Sequence, residues 1–351
     1  MSSPSSAASS PLRPLTPEVL GAEYHDVRST RPLLFVIVDT EEEFDWRAPF
    51  TRASTSVRAM RHAERGQAIF DRYAVRPTYV IDYCVATQDE GYAPLVEFAR
   101  GNRCQIGAHL HPWVTPPFDE PVDGFHSYAC NLAPDLEVRK LATLHEAIVS
   151  HTGATPLVYK AGRYGLGTNT LAWLADHGYD TDASVNPTLP PSDDGGPDFR
   201  AFDSRPFMMQ SGRLFELPLT HGYAGWAGSL KAPLQAMASS PLGERVKAAG
   251  ILARLGVTNR IMLSPEVSTL DEMKAVTRSL LRDGLRTFSL TFHSPSLDVG
   301  HTPYVRSASQ LQQFLDGIDA YCAFFFGELQ GLPSTPADFR SKFVAGQAQH
   351  S

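Results

Sequence analysis

The sequence predicts an α/β fold of the (β/α) barrel kind, on three observations. Apolar, often β-branched runs of strand length recur along the chain, helix-period segments lie between them, and polar residues able to do chemistry stand at the C-terminal ends of the runs. Near-continuous apolar strands separated by helices mark a parallel sheet buried on both faces. Eight such runs across about 300 residues suit a barrel better than an open sheet.

Taken in order, the strand runs are 33–38 (LLFVIV), 77–82 (PTYVID), 104–108 (CQIGA) and 156–160 (PLVYK). They continue with 181–185, 213–219 (RLFELPL), 260–263 and 286–292 (RTFSLTF). Helical patterns occupy about 57–73, 90–100, 134–151, 168–178, 269–283 and 307–327. Residues 1–28 are rich in Ser, Pro and Ala without periodicity and read as a flexible tail. The barrel unit is expected to span 29–335 as one domain, with 336–351 as a C-terminal tail. Three stretches read as insertions: the Pro/Gly/Asp-rich loops 116–131 and 187–200, and a mostly helical segment, about 221–258, suited to a small lid.

Composition excludes several classes. The 351 residues are 42% hydrophobic and 10% aromatic, enough for a large core and too apolar for a disordered chain. A net charge of −7 argues against a nucleic-acid binder and offers no basic patch for anionic lipid. No apolar run reaches the roughly 18 residues of a membrane span. The first residues lack the charged and apolar regions of a secretory signal, and Cys84, Cys104, Cys130 and Cys322 form no CxxC pair. A reducing, cytoplasmic setting is the expectation.

The first strand runs into VDTEEEFDW, placing Asp39 at its end and Glu41 two residues on. Residues i and i+2 of extended chain share a face, so two carboxylates at a barrel mouth can divide the work of metal ligand and general base. The third strand runs into IGAHLHPW, where His109 and His111 repeat that spacing. With a carboxylate from the first strand, two imidazoles make a three-ligand site with open positions, the arrangement of a catalytic metal. The last strand delivers His293, suited to protonating a leaving amine. The fourth ends in YKAGRYGLG, bringing Lys160, Arg163 and a glycine turn whose N–H groups near Tyr164 can face an oxyanion. The fifth brings Asp180 and Asp182 to its rim. Trp46, Trp113, Tyr164 and Trp226 are candidates for a ligand-stacking surface. Each feature alone has an ordinary alternative: a solvated acidic loop, packing histidines, a plain glycine turn, turn-forming Asp. The ordered set at successive strand ends is the signal.

VDTEEEFDW, IGAHLHPW, KAGRYG, GYDTDASVNP and LTFHSPS together resemble the polysaccharide deacetylases with NodB homology, also called carbohydrate esterase family four, and most of all their WalW-like subgroup. The resemblance covers about 30–330. It implies a distorted (β/α) barrel of seven or eight strands, a bound zinc or related divalent metal, and removal of acetyl groups from N-acetylated sugars. It implies Asp39 as general base, and Glu41, His109 and His111 as metal ligands. Thr40 stands where the family has a ligand Asp, and Trp113 where its second histidine falls. His293 matches the general acid, with Asp182 or Arg163 orienting it. Lys160 stands at the Arg of the RxP motif with Gly162 at its Pro, Ser184 and Pro187 follow Asp182 in the fourth motif, and Glu216 and Pro218 resemble a strand near the sugar. Tyr164, Trp113 and Lys160 are the expected substrate contacts. The implied partner is an N-acetylated glycan or precursor, with no nucleic acid and no membrane span. The alternatives are an allantoinase-like cyclic-amide hydrolase, an inactive glycan-binding relative, or a glycosidase using paired carboxylates.

Overall fold

A computed structural model describes residues 15–348 apart from 25–26, 28, 228–229, 239, 241–244 and 246. The strands are β1 (Glu23–Tyr24), β2 (Leu33–Thr40), β3 (Thr78–Ile81), β4 (Gln105–Leu110), β5 (Val158–Ala161) and β6 (Thr181–Asp182). They continue with β7 (Phe207–Met209), β8 (Leu214–Glu216), β9 (His221–Ala224), β10 (Asn259–Met262), β11 (Thr287–His293) and β12 (Leu332–Pro333). Seven run parallel in the order β11–β2–β3–β4–β5–β6–β8, the wall of a distorted (β/α) barrel. Among the described residues no ladder joins β11 to β8. The two sides meet through the stretch after β8, where Ser289 N–H donates to Thr220 Oγ1 at 2.7 Å and Ser289 Oγ–H to Pro218 O at 3.2 Å.

The strand parity decides what enters the barrel. Along β2, Leu34, Val36 and Val38 face outward into a cluster shared with helix residues such as Phe70, Leu95 and Phe314. Phe35 and Ile37 face inward: Phe35 meets Phe215, and Ile37 meets Val80 and Val158. Asp39 and Glu41 continue the inward set beyond the last apolar layer. Gly107 is on the same side, and a Cβ there would stand 2.6 Å from Val158 O, so β4 and β5 approach at a distance only glycine permits. The helix-period segments form Glu64–Arg72, Asp89–Arg100, Pro134–Thr152, Thr168–Asp176, Leu270–Arg282 and Ala308–Cys322. Thr269 opens the Leu270–Arg282 helix with a capping box to Glu272.

Three expectations change. The 260–263 run forms β10, which pairs antiparallel with β9 outside the main sheet; its half-exposed pattern differs from the fully buried parallel strands. The insertion therefore starts and ends as a hairpin, with helices Lys231–Ala238 and Ala248–Arg254 between. The stretch from 336 is a helix over Pro336–Ala348, and Phe339 plugs the barrel floor with its ring centroid 5.5 Å from Phe35 and 5.4 Å from Phe215. Burying such a ring contributes about 1.5–3 kcal/mol, which explains why this segment docks. Of the expected N-terminal tail, 1–14 lie outside the described residues, while Leu15 and Leu20 are buried and β1 pairs with β7. Among the described residues no helix is long and apolar enough to cross a membrane.

Candidate active site

The inward parity of β2, β4, β5 and β11 collects polar side chains at the C-terminal mouth of the barrel. Glu41 Oε2 lies 3.5 Å from His109 Nε2 and 3.4 Å from His111 Nε2, and one ligand atom from each of the three lies within 4.8 Å of the others. All three side chains are buried. Both rings have their far nitrogens engaged: His109 Nδ1–H donates to Lys160 O at 2.9 Å, and His111 Nδ1–H to Glu42 Oε2 at 2.7 Å. That fixes the tautomer with each Nε2 lone pair turned toward Glu41, as metal-ligating histidines are held. Glu41 Oε1 is buried with no hydrogen-bond partner. An orphaned carboxylate oxygen facing two free imidazole nitrogens fits a divalent cation of the zinc type. The glycine after β5 makes room for this arrangement, because a Cβ on Gly162 would stand 2.4 Å from His111 Cδ2.

A second layer holds the ligands. Glu42 Oε1 accepts from Trp113 Nε1–H at 2.7 Å, and Asp82 Oδ2 accepts from Glu42 N–H at 3.3 Å while Asp82 Oδ1 caps the Tyr83–Thr87 helix through Val85 N–H at 2.7 Å. Burial and the neighbouring Glu41 carboxylate push Glu42 up to about 8, against the opposing hydrogen bonds of Asp82 and Trp113; burial and Glu42 push Asp82 well above the carboxylate range. Burial likewise lowers His111. Trp113, at the family's expected histidine position, thus supports a ligand through Glu42 and also lines the cleft.

Asp39 stands beside this group. Lys160 Nζ donates to both its oxygens at 2.7 Å and to Thr291 Oγ1 at 3.0 Å. Burial alone would raise the Asp39 carboxyl, but the charges of Lys160, His109 and His293 outweigh it and hold it below its usual value. The same contest, with His293 the leading cation, lowers Glu41. Lys160, expected as a substrate contact, is fully buried and does not line the cleft; its ammonium serves Asp39. Lys160→Met is therefore expected to lower stability by about 3–5 kcal/mol, since it strands a buried carboxylate. Chemical denaturation of the variant against wild type measures this, and an unchanged midpoint would contradict it.

His293 closes the other side, with Nε2 3.7 Å from Asp39 Oδ2. Its Nδ1–H donates to Glu266 Oε2 at 2.8 Å, and its backbone N–H to Glu266 Oε1 at 3.1 Å. Burial alone would lower its pKa, but the Glu266 and Glu41 carboxylates carry it up to about 10. Glu266 occupies the orienting position expected for Asp182 or Arg163. Asp182 pairs in register with Tyr159 and Glu216, and Tyr159 packs into the outer cluster, so Asp182 lies on the face away from the cleft. There it accepts from Ser184 Oγ–H at 2.6 Å, and burial raises both it and its neighbour Glu216. Glu216, expected near the sugar, shares that outer face, and Asp180 precedes β6 at its opposite end.

Arg163 and Tyr164 both adopt left-handed backbone, φ 51° and 61°, at roughly 1–2 kcal/mol each. This turn sends Tyr164 into the cleft and Arg163 along its edge to the insertions. Arg163 NH1 donates to Ser127 Oγ at 2.5 Å, NH2 pairs with Asp194 Oδ2 at 3.0 Å, and the guanidinium lies 4.1 Å from the Tyr128 ring centroid. It ties loops 116–131 and 187–200 together as a wall rather than touching His293. The cleft holds about 420 Å³ and is faced by Trp46, Trp113, Tyr164, Tyr304, Leu189 and Pro190 around the polar centre. Trp46 stands edge-on to His293, centroids 4.8 Å apart. Trp226 lies elsewhere, 74% exposed on the insertion.

A buried group able to hold a divalent ion, flanked by a carboxyl held below its usual pKa and a histidine held above its own, is an arrangement that can activate water, direct it at a carbonyl and protonate an amine. The fold carrying this group is that of deacetylase-type barrels. A Mycobacterium smegmatis structure, classed by inference as a polysaccharide deacetylase, is similar at TM-score 0.51 with 15% identity, covering 96% of both chains. A Parabacteroides distasonis structure, classed by inference as a glycoside hydrolase/deacetylase, is similar at TM-score 0.52 with 12% identity, covering 89% of this chain and 70% of that one. No protein-family model matches the chain, and no curated protein does.

Proposed function

We propose that the protein is a metal-dependent hydrolase of the polysaccharide deacetylase family that removes N-acetyl groups from an amino-sugar-containing glycan or glycan precursor in surface polysaccharide metabolism. The observation that carries the reading is the convergence of Glu41, His109 and His111, with the unpartnered Glu41 Oε1, between Asp39 and His293. The shared fold of the two deacetylase-class structures supports it.

Glu41, His109 and His111 would hold the metal, zinc being the first choice for one carboxylate and two imidazoles. When bound, a divalent ion there lowers the pKa of water toward neutrality and polarises the acetamide carbonyl. Asp39, kept ionised by Lys160, accepts the proton of the attacking water. The Tyr164 backbone N–H is the donor assigned to the developing oxyanion. His293, held protonated by Glu266, gives its proton to the amine as the C–N bond breaks, so acetate and a free amino sugar leave. Trp46, Trp113 and Tyr164 offer the rings against which a sugar face stacks.

Purified protein incubated with N-acetylhexosamine oligomers is expected to release acetate, to stop after chelation and to recover on zinc add-back. Release unaffected by chelator, or cleavage of glycosidic bonds in place of acetate release, would overturn the reading.

A further inference from the structure

We propose that the insertion between β9 and β10 docks the protein on the surface of an anionic lipid bilayer. Single exposed apolar residues are ordinary, but clusters mark interaction surfaces. Among the described residues thirteen large apolar side chains are exposed, and five of them, Trp226, Leu230, Met237, Ile251 and Leu255, fall within this one segment. Three of them, Trp226, Leu255 and Ile251, are joined structurally. Trp226 Nε1–H donates to Leu255 O at 3.1 Å, and Leu255 N–H to Ile251 O at 3.0 Å, which puts Ile251 one turn below Leu255 on the same helix face. The only polar atom of the Trp226 side chain is thus tied to backbone while its ring stays in solvent, the posture of an interfacial tryptophan.

The charge points to the occupant. From 226 to 260 the chain carries Lys231, Arg245, Lys247, Arg254 and Arg260 against the single acid Glu244, in a protein whose net charge is −7. Arg245, Lys247 and Arg254 are exposed, and Lys247 and Arg254 stand four before and three after Ile251. Apolar side chains with a tryptophan, flanked by cations on short helices, are what a membrane interface binds. Face-to-face pairing with a second copy would set like charges together. The whole-chain charge conceals this basic patch.

The segment hangs from the rim that carries the cleft. Arg260 NH1 donates to Thr188 O at 2.8 Å, next to the cleft residues Leu189 and Pro190, and Glu266, which holds His293, follows β10 by four residues. Docked there, the mouth would face glycans borne on lipid. That consequence rests on the deacetylase reading; the docking itself does not.

The test is co-sedimentation of the full chain with vesicles of phosphatidylglycerol and phosphatidylcholine in equal parts, and with phosphatidylcholine alone. Pelleting with the anionic vesicles only, reversal by high salt and a blue shift of tryptophan emission are expected. Leu255→Glu is expected to weaken partitioning more than about tenfold. Arg254→Gln and Lys247→Gln, which leave the apolar face intact, are each expected to weaken it about fivefold. Protein that stays in the supernatant, or variants that pellet as wild type does, would overturn the proposal. So would a dimer in sedimentation velocity that Leu255→Glu dissolves, since the face would then belong to a second copy. Pelleting requires no turnover, so this result and the acetate assay can fail separately.

Discussion

His109→Ala is expected to strip the protein of its divalent ion and to lower acetate release by about three orders of magnitude or more. His109 supplies one of three ligand atoms within 4.8 Å of one another, and its other nitrogen is held on Lys160 O. Two ligands hold a cation far more weakly than three, and without it the Glu41 carboxylate is left buried among imidazoles. Glu42→Gln should act more mildly. It keeps an acceptor for His111 Nδ1 and alters only the support of a ligand, which typically changes metal affinity about 10–100-fold. Metal content of the purified variants, calorimetric zinc titration and initial rates separate the two, with circular dichroism confirming folding. A His109→Ala protein with full zinc content and wild-type rate would remove the basis of the site.

The reason this group is legible in the sequence is the period of a strand. Asp39 and Glu41, and His109 and His111, are spaced by two, and each pair follows an apolar run, so the same parity that buries Ile37 aims the polar pair into the barrel mouth. The same rule misleads for Asp182. Its place at a strand end is legible, but the face it takes depends on the register of β6 with β5, which sets it level with Tyr159 instead of Lys160. Register between sequence-distant strands leaves no mark in either one. Lys160 shows the opposite case: its place was legible, but its full burial against Asp39 is a property of the closed packing. Glu266 left no signal at all. It lies in an irregular turn after a hairpin outside the barrel sheet, and only folding brings it to His293. The segment from 336 reads as a tail because Pro336–Ala348 has no apolar stripe of its own; among the described residues Phe339 makes its contact with the barrel floor.

His293→Ala is expected to keep the metal while losing about 10²–10⁴ in turnover, the usual worth of a general acid. His293 is not one of the three converging ligands, so zinc content should match wild type, and this distinguishes it from His109→Ala. The pH profile gives the sharper test. The acid form of His293 is the one that can give a proton, and that form persists to about 10 because the Glu266 and Glu41 charges outweigh burial. In the metal-loaded enzyme turnover should therefore hold at neutral pH and fall on an alkaline limb above the ordinary histidine value of about 6.5. A cation held by Glu41 cancels much of that carboxylate's share, which leaves Glu266 as the main support of the protonated ring. Glu266→Gln retains a hydrogen-bond acceptor for Nδ1–H but removes the charge, so the pKa drops toward or below the ordinary histidine value of about 6.5 and the alkaline limb moves to lower pH. At acid pH, where the ring is protonated in both proteins, the variant should recover much of the wild-type rate. A variant that merely loosened the fold would lose rate across the whole range and leave the limb where it was. If the limb stays put in Glu266→Gln while His293→Ala is inactive, Glu266 is a structural contact and the charge that protonates His293 must come from elsewhere in the cleft.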